Sequence, residues 1–170
     1  SRDTSRRGVL SGLATAVRRL RRRVALDIAM RGTPDLCFIW VPKAAGTSLF
    51  NALNAACGMR KLDRPGRYFA FPNRGAVTFG HVHYLSLLRA GIVSRDYDAR
   101  TYRFAVVRNP YARVVSLYNY LGGHVPEVAD ASFDAFLEAC ETARPPVGMY
   151  NACFLSQANP QVDWLVGERG

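Results

Sequence analysis

The chain has 170 residues, 49% hydrophobic and 11% aromatic, with 23 Lys+Arg against 13 Asp+Glu and a formal charge of +10. That size and apolar content fit one folded domain and exclude intrinsic disorder, and no run approaches the roughly 18 consecutive apolar residues of a spanning helix. The four cysteines (Cys37, Cys57, Cys140, Cys153) form no CxxC pair and only His81, His83 and His124 accompany them, so buried, reduced thiols are expected and a metal site is not.

Residues 1–31 hold nine arginines and two aspartates, a net +7 that leaves only +3 for the rest. The body is therefore mildly basic, and specific nucleic-acid binding is not expected of it. Within this arm Val9 or Leu10, Leu13, Val17, Leu20, Val24 and Ile28 recur at steps of three and four, which predicts a helix with one apolar stripe flanked by arginines. Such a helix suits an anionic membrane surface, a nucleic acid or an anionic polymer. The plain alternative is a solvated helix that packs its stripe on the domain or on a second subunit. Arginines break any secretory h-region, so a cytoplasmic chain is the default expectation.

Gly32-Thr33-Pro34-Asp35 separates the arm from the domain expected over 32–170. The continuous apolar run Leu36–Val41 predicts a buried parallel strand, and Thr47–Ala56 a helix that ends at Cys57-Gly58. Residues 58–75, rich in Arg, Pro and Gly, read as loop. A second strand follows at 76–79, a helix at 85–90 and a third strand at 102–107. Pro110 opens a helix that Gly122-Gly123 stops, Ser132 caps another at 133–139, and Pro145-Pro146 breaks the chain. Strands alternating with helices predict a single α/β domain with a P-loop-like, mostly parallel sheet flanked by helices.

In FIWVPKAAGTSLF a buried strand ends, small residues turn, and a helix begins with hydroxyls in its first turn. Ala44, Ala45 and Gly46 let backbone N–H groups approach an anion, with Lys43 as a mobile positive charge. Lys43 and Lys61 are the only lysines among the 23 basic residues. A Walker A loop carries its lysine next to the helix hydroxyl, whereas here it precedes Thr47 by four residues, which disfavours ATPase or GTPase chemistry. RFAVVRNPYARVVSLYNY repeats the strand–turn–helix layout, and Arg108 and Ser116 are candidates for a second anion. For each there is a plain alternative: a surface ion pair for Arg108, a bond to its own helix backbone for Ser116.

PKAAGTS followed by RNPYARVVSLY resembles the paired signature of sulfotransferases that use 3′-phosphoadenosine 5′-phosphosulfate (PAPS). The closer likeness is to the carbohydrate branch of uronyl and heparan 2-O-sulfotransferases and their bacterial relatives. It spans residues 36–121 and continues weakly into SQANPQVDWLVG. The resemblance implies that Lys43, Ala44, Ala45, Gly46, Thr47 and Ser48 surround the 5′-phosphosulfate, that Arg108 and Ser116 hold the 3′-phosphate, and that adenosine 3′,5′-bisphosphate is the product. It implies O-sulfation of a hydroxyl, with a carbohydrate as the expected acceptor. His81, in Gly80-His81-Val82, matches the family's catalytic base and Lys43 its catalytic cation. His83 is the alternative base, on the same face as His81 if the segment is extended. Relatives often carry a histidine where Phe79 stands here. Relatives also continue beyond the last matched segment, so a minimal or truncated domain is expected. The rival is a sulfotransferase-like module that binds nucleotide or anionic glycan without turnover. Arg60, Arg64, Arg67, Tyr68, Phe69, Phe71 and Arg74 either meet an anionic sugar or form an ordinary loop in which Phe69 and Phe71 pack.

Overall fold

The computed structural model describes residues 2–124, 126–142 and 154–166, with side chains from residue 11 onward except at 126, 127, 154 and 156. Pro145-Pro146 and Cys153 lie outside the described residues. In chain order the elements are α1 (Arg2–Ala29), β1 (Leu36–Phe38), α2 (Gly46–Cys57), β2 (Arg60–Lys61), α3 (Pro65–Tyr68), β3 (Ala76–Thr78) and α4 (Tyr84–Arg89). There follow α5 (Arg95–Arg100), β4 (Tyr102–Phe104), α6 (Pro110–Gly122), α7 (Pro126–Ala129) and α8 (Phe133–Thr142), then 3-10 turns at Phe154–Ala158 and Gln161–Trp164.

The four strands form one all-parallel sheet in the order β2-β3-β1-β4. Cys37 pairs with Val77 on one side and with Arg103 on the other, so β1 is central. Its apolar run is buried on both faces because alternate side chains serve two layers. Cys37, Ile39 and Val41 join Phe79, Tyr84, Leu87, Tyr97 and Trp164 in one cluster, while Phe38 and Trp40 pack with Met59 against Leu49, Phe50 and Leu53 of α2. A third cluster holds α6 to α8 through Leu117, Leu121, Val128 and Phe136. Met30 belongs to the first cluster, so the chain just past α1 is built into the body. Cys37, Cys57 and Cys140 are free thiols, and burial pushes that of Cys37 up to about 12.

Two strands end sooner than their apolar runs. β1 and β4 each hold three residues, and Ile39–Val41 and Ala105–Val107 continue as irregular chain toward the site. The expected loop 58–75 contains β2 and the short α3. The helix starts at Gly46 and Pro110 follow the sequence closely. Asn109 caps α6 by accepting from the Ala112 N–H at 3.2 Å, with Pro110 in the first turn.

Candidate functional site

All strands point the same way, so the chain segments leaving β1, β3 and β4 meet at one edge of the sheet, where open α/β sheets form their crevices. A cavity of about 360 Å³ opens there, lined by Lys43, Ala45, Gly46, Thr47, Ser48, His81, Arg108 and Ser116 together with Trp40, Tyr120 and Gln157. A neighbouring hollow of about 430 Å³ shares Lys43, Arg108, Ser116 and Tyr120 and extends along α6. Every site residue expected from the sequence lines the cavity except Ala44, whose side chain is packed in the core.

The turn after β1 is wound tightly. Lys43 and Ala45 hold φ of 60° and 59°, left-handed values that cost a non-glycine residue on the order of 1–3 kcal/mol each. Bracketing Ala44, they curl the backbone into a concave turn of the kind that gathers N–H groups on one side. Ala45 is the N-cap of α2 and supplies no side-chain cap, which leaves first-turn N–H groups of α2 for an anion. Gly46 is required by packing, since the Trp40 indole fills the space that a Cβ would need. The hydroxyls of Thr47, Ser48 and Ser116 make no hydrogen bond among the described residues, so Ser116 is not tied to its own helix. Lys43 Nζ lies 4.4 Å from the centroid of the Tyr120 ring, which holds the ammonium at the cavity. Tyr120 in turn stacks on His124 at 4.3 Å.

Arg108 stands four residues past β4 rather than at its end. Its position is fixed by its backbone: the N–H donates to Gln161 Oε1 at 2.9 Å, and Gln161 Nε2 donates to its carbonyl at 2.8 Å. The exposed guanidinium reaches the Lys43 carbonyl at 3.5 Å and makes no ion pair among the described residues. Arg113 faces inward. It is 5% exposed and donates from Nε to Pro42 O at 3.0 Å, from one terminal nitrogen to Asn159 O at 3.2 Å and from the other to Gln157 O. It thus ties the turn after β1 to residues 157–159. Burial lowers its pKa to about 10, which leaves the charge in place at neutral pH. Arg113→Met strands three carbonyls at once and is expected to cost about 3–5 kcal/mol, read as a lowered midpoint in urea unfolding.

Gly80, at φ 70°, turns the chain out of β3 and lifts His81 to the cavity. His81 Nδ1 lies 3.0 Å from the Trp40 carbonyl, which only accepts, so Nδ1 carries the proton and Nε2 keeps its lone pair. Burial lowers the imidazole's pKa, the carbonyl bond opposes this, and the charges of Lys61, Lys43 and Arg113 lower it further. The group is neutral and basic at pH 7.

His83 does not share this face. The chain bends at His81, where the Val82 N–H donates to the Gly80 carbonyl at 2.9 Å, and His83 is fully buried with its ring 4.2 Å from that of Trp164 and neither nitrogen bonded among the described residues. It lines none of the cavity. Burial lowers its pKa as well. Below pH 6.5, the ordinary value, the unfolded chain therefore binds more protons at His81 and His83 than the folded chain does. Their contribution to stability is full above pH 6.5 and is lost as the pH drops below it. The drop in melting temperature from pH 7 to pH 5 is expected to shrink in His83→Leu, which also removes two unbonded buried nitrogens.

The basic loop divides. Tyr68 and Phe71 are core, Phe69 lies exposed under the Arg19 guanidinium, and Arg74 pairs with Asp27 at 3.0 Å. Arg60, Lys61, Arg64 and Arg67 line a groove of about 780 Å³ whose opposite wall includes Arg22 of α1 and Phe50 of α2. Lys61 Nζ sits 4.8 Å over the Trp40 ring and Phe50 stacks on that ring at 5.7 Å, so one indole separates the groove from the first cavity. Sequence reasoning missed Trp40, Tyr120, Gln157 and Gln161; the last two belong to SQANPQ, where the resemblance was already weak.

The chain matches the family described as the sulfotransferase family over residues 26–143, well over half its length. No curated protein and no solved structure matches it.

Proposed function

The chain belongs to the sulfotransferase family, and on that premise we propose that it transfers the sulfuryl group of PAPS to a carbohydrate hydroxyl. The observation that carries this reading is the convergence of Lys43, the start of α2, Arg108, Ser116 and His81 on one cavity. Among the described residues no carboxylate lines that cavity or the hollow beside it, so both suit a ligand with anionic groups.

In this reading the turn from Lys43 to Ser48 takes the 5′-phosphosulfate, while Arg108 and Ser116 take the 3′-phosphate. The acceptor oxygen bonds to sulfur as the bond from sulfur to the phosphate oxygen breaks, and the departing electron pair stays on the phosphate. His81 Nε2 receives the hydroxyl proton. Lys43 faces the charge that grows on the leaving oxygen. The groove beyond Trp40 supports an acidic sugar as acceptor. Arg22, Arg60 and Arg64 have no ion pair there among the described residues, and Asp63, at 3.3 Å and 3.7 Å, engages only Lys61 and Arg67.

Incubation with PAPS labelled at sulfur, across neutral and uronic-acid polysaccharides, tests the reading. Label is expected in an acidic polysaccharide as an O-sulfate ester. Donor binding with no transfer to any hydroxyl acceptor would favour a module that holds nucleotide without turnover.

A further inference from the structure

Helix α1 has two working faces, and only one is used among the described residues. Leu26 and the following Met30 pack into the body, Arg19 Nε donates to the Phe69 carbonyl at 3.0 Å, and Asp27 pairs with Arg74. The opposite face carries Leu13, Val17, Leu20, Val24 and Ile28, each between 49% and 62% exposed. At about 100° per residue these five form one line roughly 22 Å long. Single exposed apolar residues are ordinary, whereas a continuous stripe rimmed by charge marks an interaction surface. Arg21 falls on one shoulder of the stripe, Arg18 and Arg23 lie further round the helix, and none of the three has an acidic partner among the described residues.

We propose that this face seats α1 in the plane of an anionic lipid surface, with the leucines and valines in the acyl boundary and the flanking guanidiniums on lipid phosphates. Charge complementarity selects this occupant. A second copy of the helix would bring together two arms of net +7, and the arm's Asp27 is already engaged by Arg74 and Arg31. A nucleic acid would satisfy the arginines but leave five large apolar side chains in water. No helix among the described residues is long and apolar enough to cross a membrane, which is consistent with a helix lying in the interface. The inference does not depend on the sulfuryl-transfer reading.

Co-sedimentation of the full chain with phosphatidylglycerol/phosphatidylcholine vesicles tests it, with phosphatidylcholine vesicles alone as the comparison. Binding to the anionic vesicles is expected, weaker by about tenfold or more on neutral ones and in Leu20→Glu/Val24→Glu, whose positions are exposed. Arg21→Glu/Arg23→Glu supplies a second variant with the same expected loss. Unchanged melting temperatures would show that both variants are folded. The proposal is overturned if anionic vesicles are not bound, or if Leu20→Glu/Val24→Glu binds them as well as the parent chain. A concentration-dependent dimer that dissociates in the same variant would also overturn it, since a second copy would then cover the stripe. So would binding to duplex DNA without binding to vesicles.

Discussion

His81→Ala is expected to lower kcat by about 10²–10⁴ while leaving binding of adenosine 3′,5′-bisphosphate intact. The imidazole meets three requirements of a general base. It lines the cavity beside the turn after β1, its tautomer is set by the Trp40 carbonyl, and burial with the neighbouring cations keeps it unprotonated. The sign of the pH dependence follows. Because its pKa is lowered from 6.5, activity holds through neutral pH and declines only on the acid side of that value. His81→Gln, which restores a polar side chain but no base, is expected to be as slow as His81→Ala. Steady-state rates at saturating donor check this. Unchanged turnover in either variant removes His81 from the chemistry, and His83 cannot replace it, since that ring is sealed against Trp164.

Lys43→Ala is expected to lower kcat by about 10²–10³, with a smaller effect on the donor's Kd. The lysine is held at the cavity by Tyr120 and by its own left-handed backbone. It is thus positioned before the substrate arrives, and in the proposed transfer its attraction to the leaving oxygen grows only as charge develops there. Lys43→Arg restores charge but not a compact ammonium, so partial rescue at best is expected. Single-turnover rates set against equilibrium binding separate the two effects. A loss confined to Kd would make Lys43 a binding residue only.

Much of this site was legible in the sequence because its parts are local. A six-residue apolar run, a turn of small residues and hydroxyls at a helix start set Lys43 to Ser48 in place without long-range information. Asn109-Pro110 did the same for α6 and so for Ser116. What was not legible depends on distant contacts or on elements too short for a period to develop. β2 has two residues, which no alternation pattern can announce. α5 did leave a signal, because Ser94 accepts from the Tyr97 N–H and Asp96 and Asp98 fill the first turn. Gln161 clamps Arg108 across 53 positions, and Arg113 reaches back 71 to Pro42. Neither pairing has a local signature. The shared face expected for His81 and His83 failed at the bend centred on His81, where the Val82 N–H donates to the Gly80 carbonyl at 2.9 Å and the chain is not extended as such alternation needs. The apolar stripe of α1 was visible as a pattern, but which face of the helix meets the body was not.

On the proposed reading one cavity binds a nucleotide carrying phosphates on both sides of its ribose. Thermal melting with adenosine 3′,5′-bisphosphate, against AMP and ATP, tests it most directly. At 100 times its Kd a ligand adds about 2.7 kcal/mol, a rise of roughly 5–10 °C for a chain of this size. That rise is expected for the bisphosphate alone, together with its loss in Arg108→Ala. An equal rise with AMP, or a bisphosphate rise that survives Arg108→Ala, would contradict it.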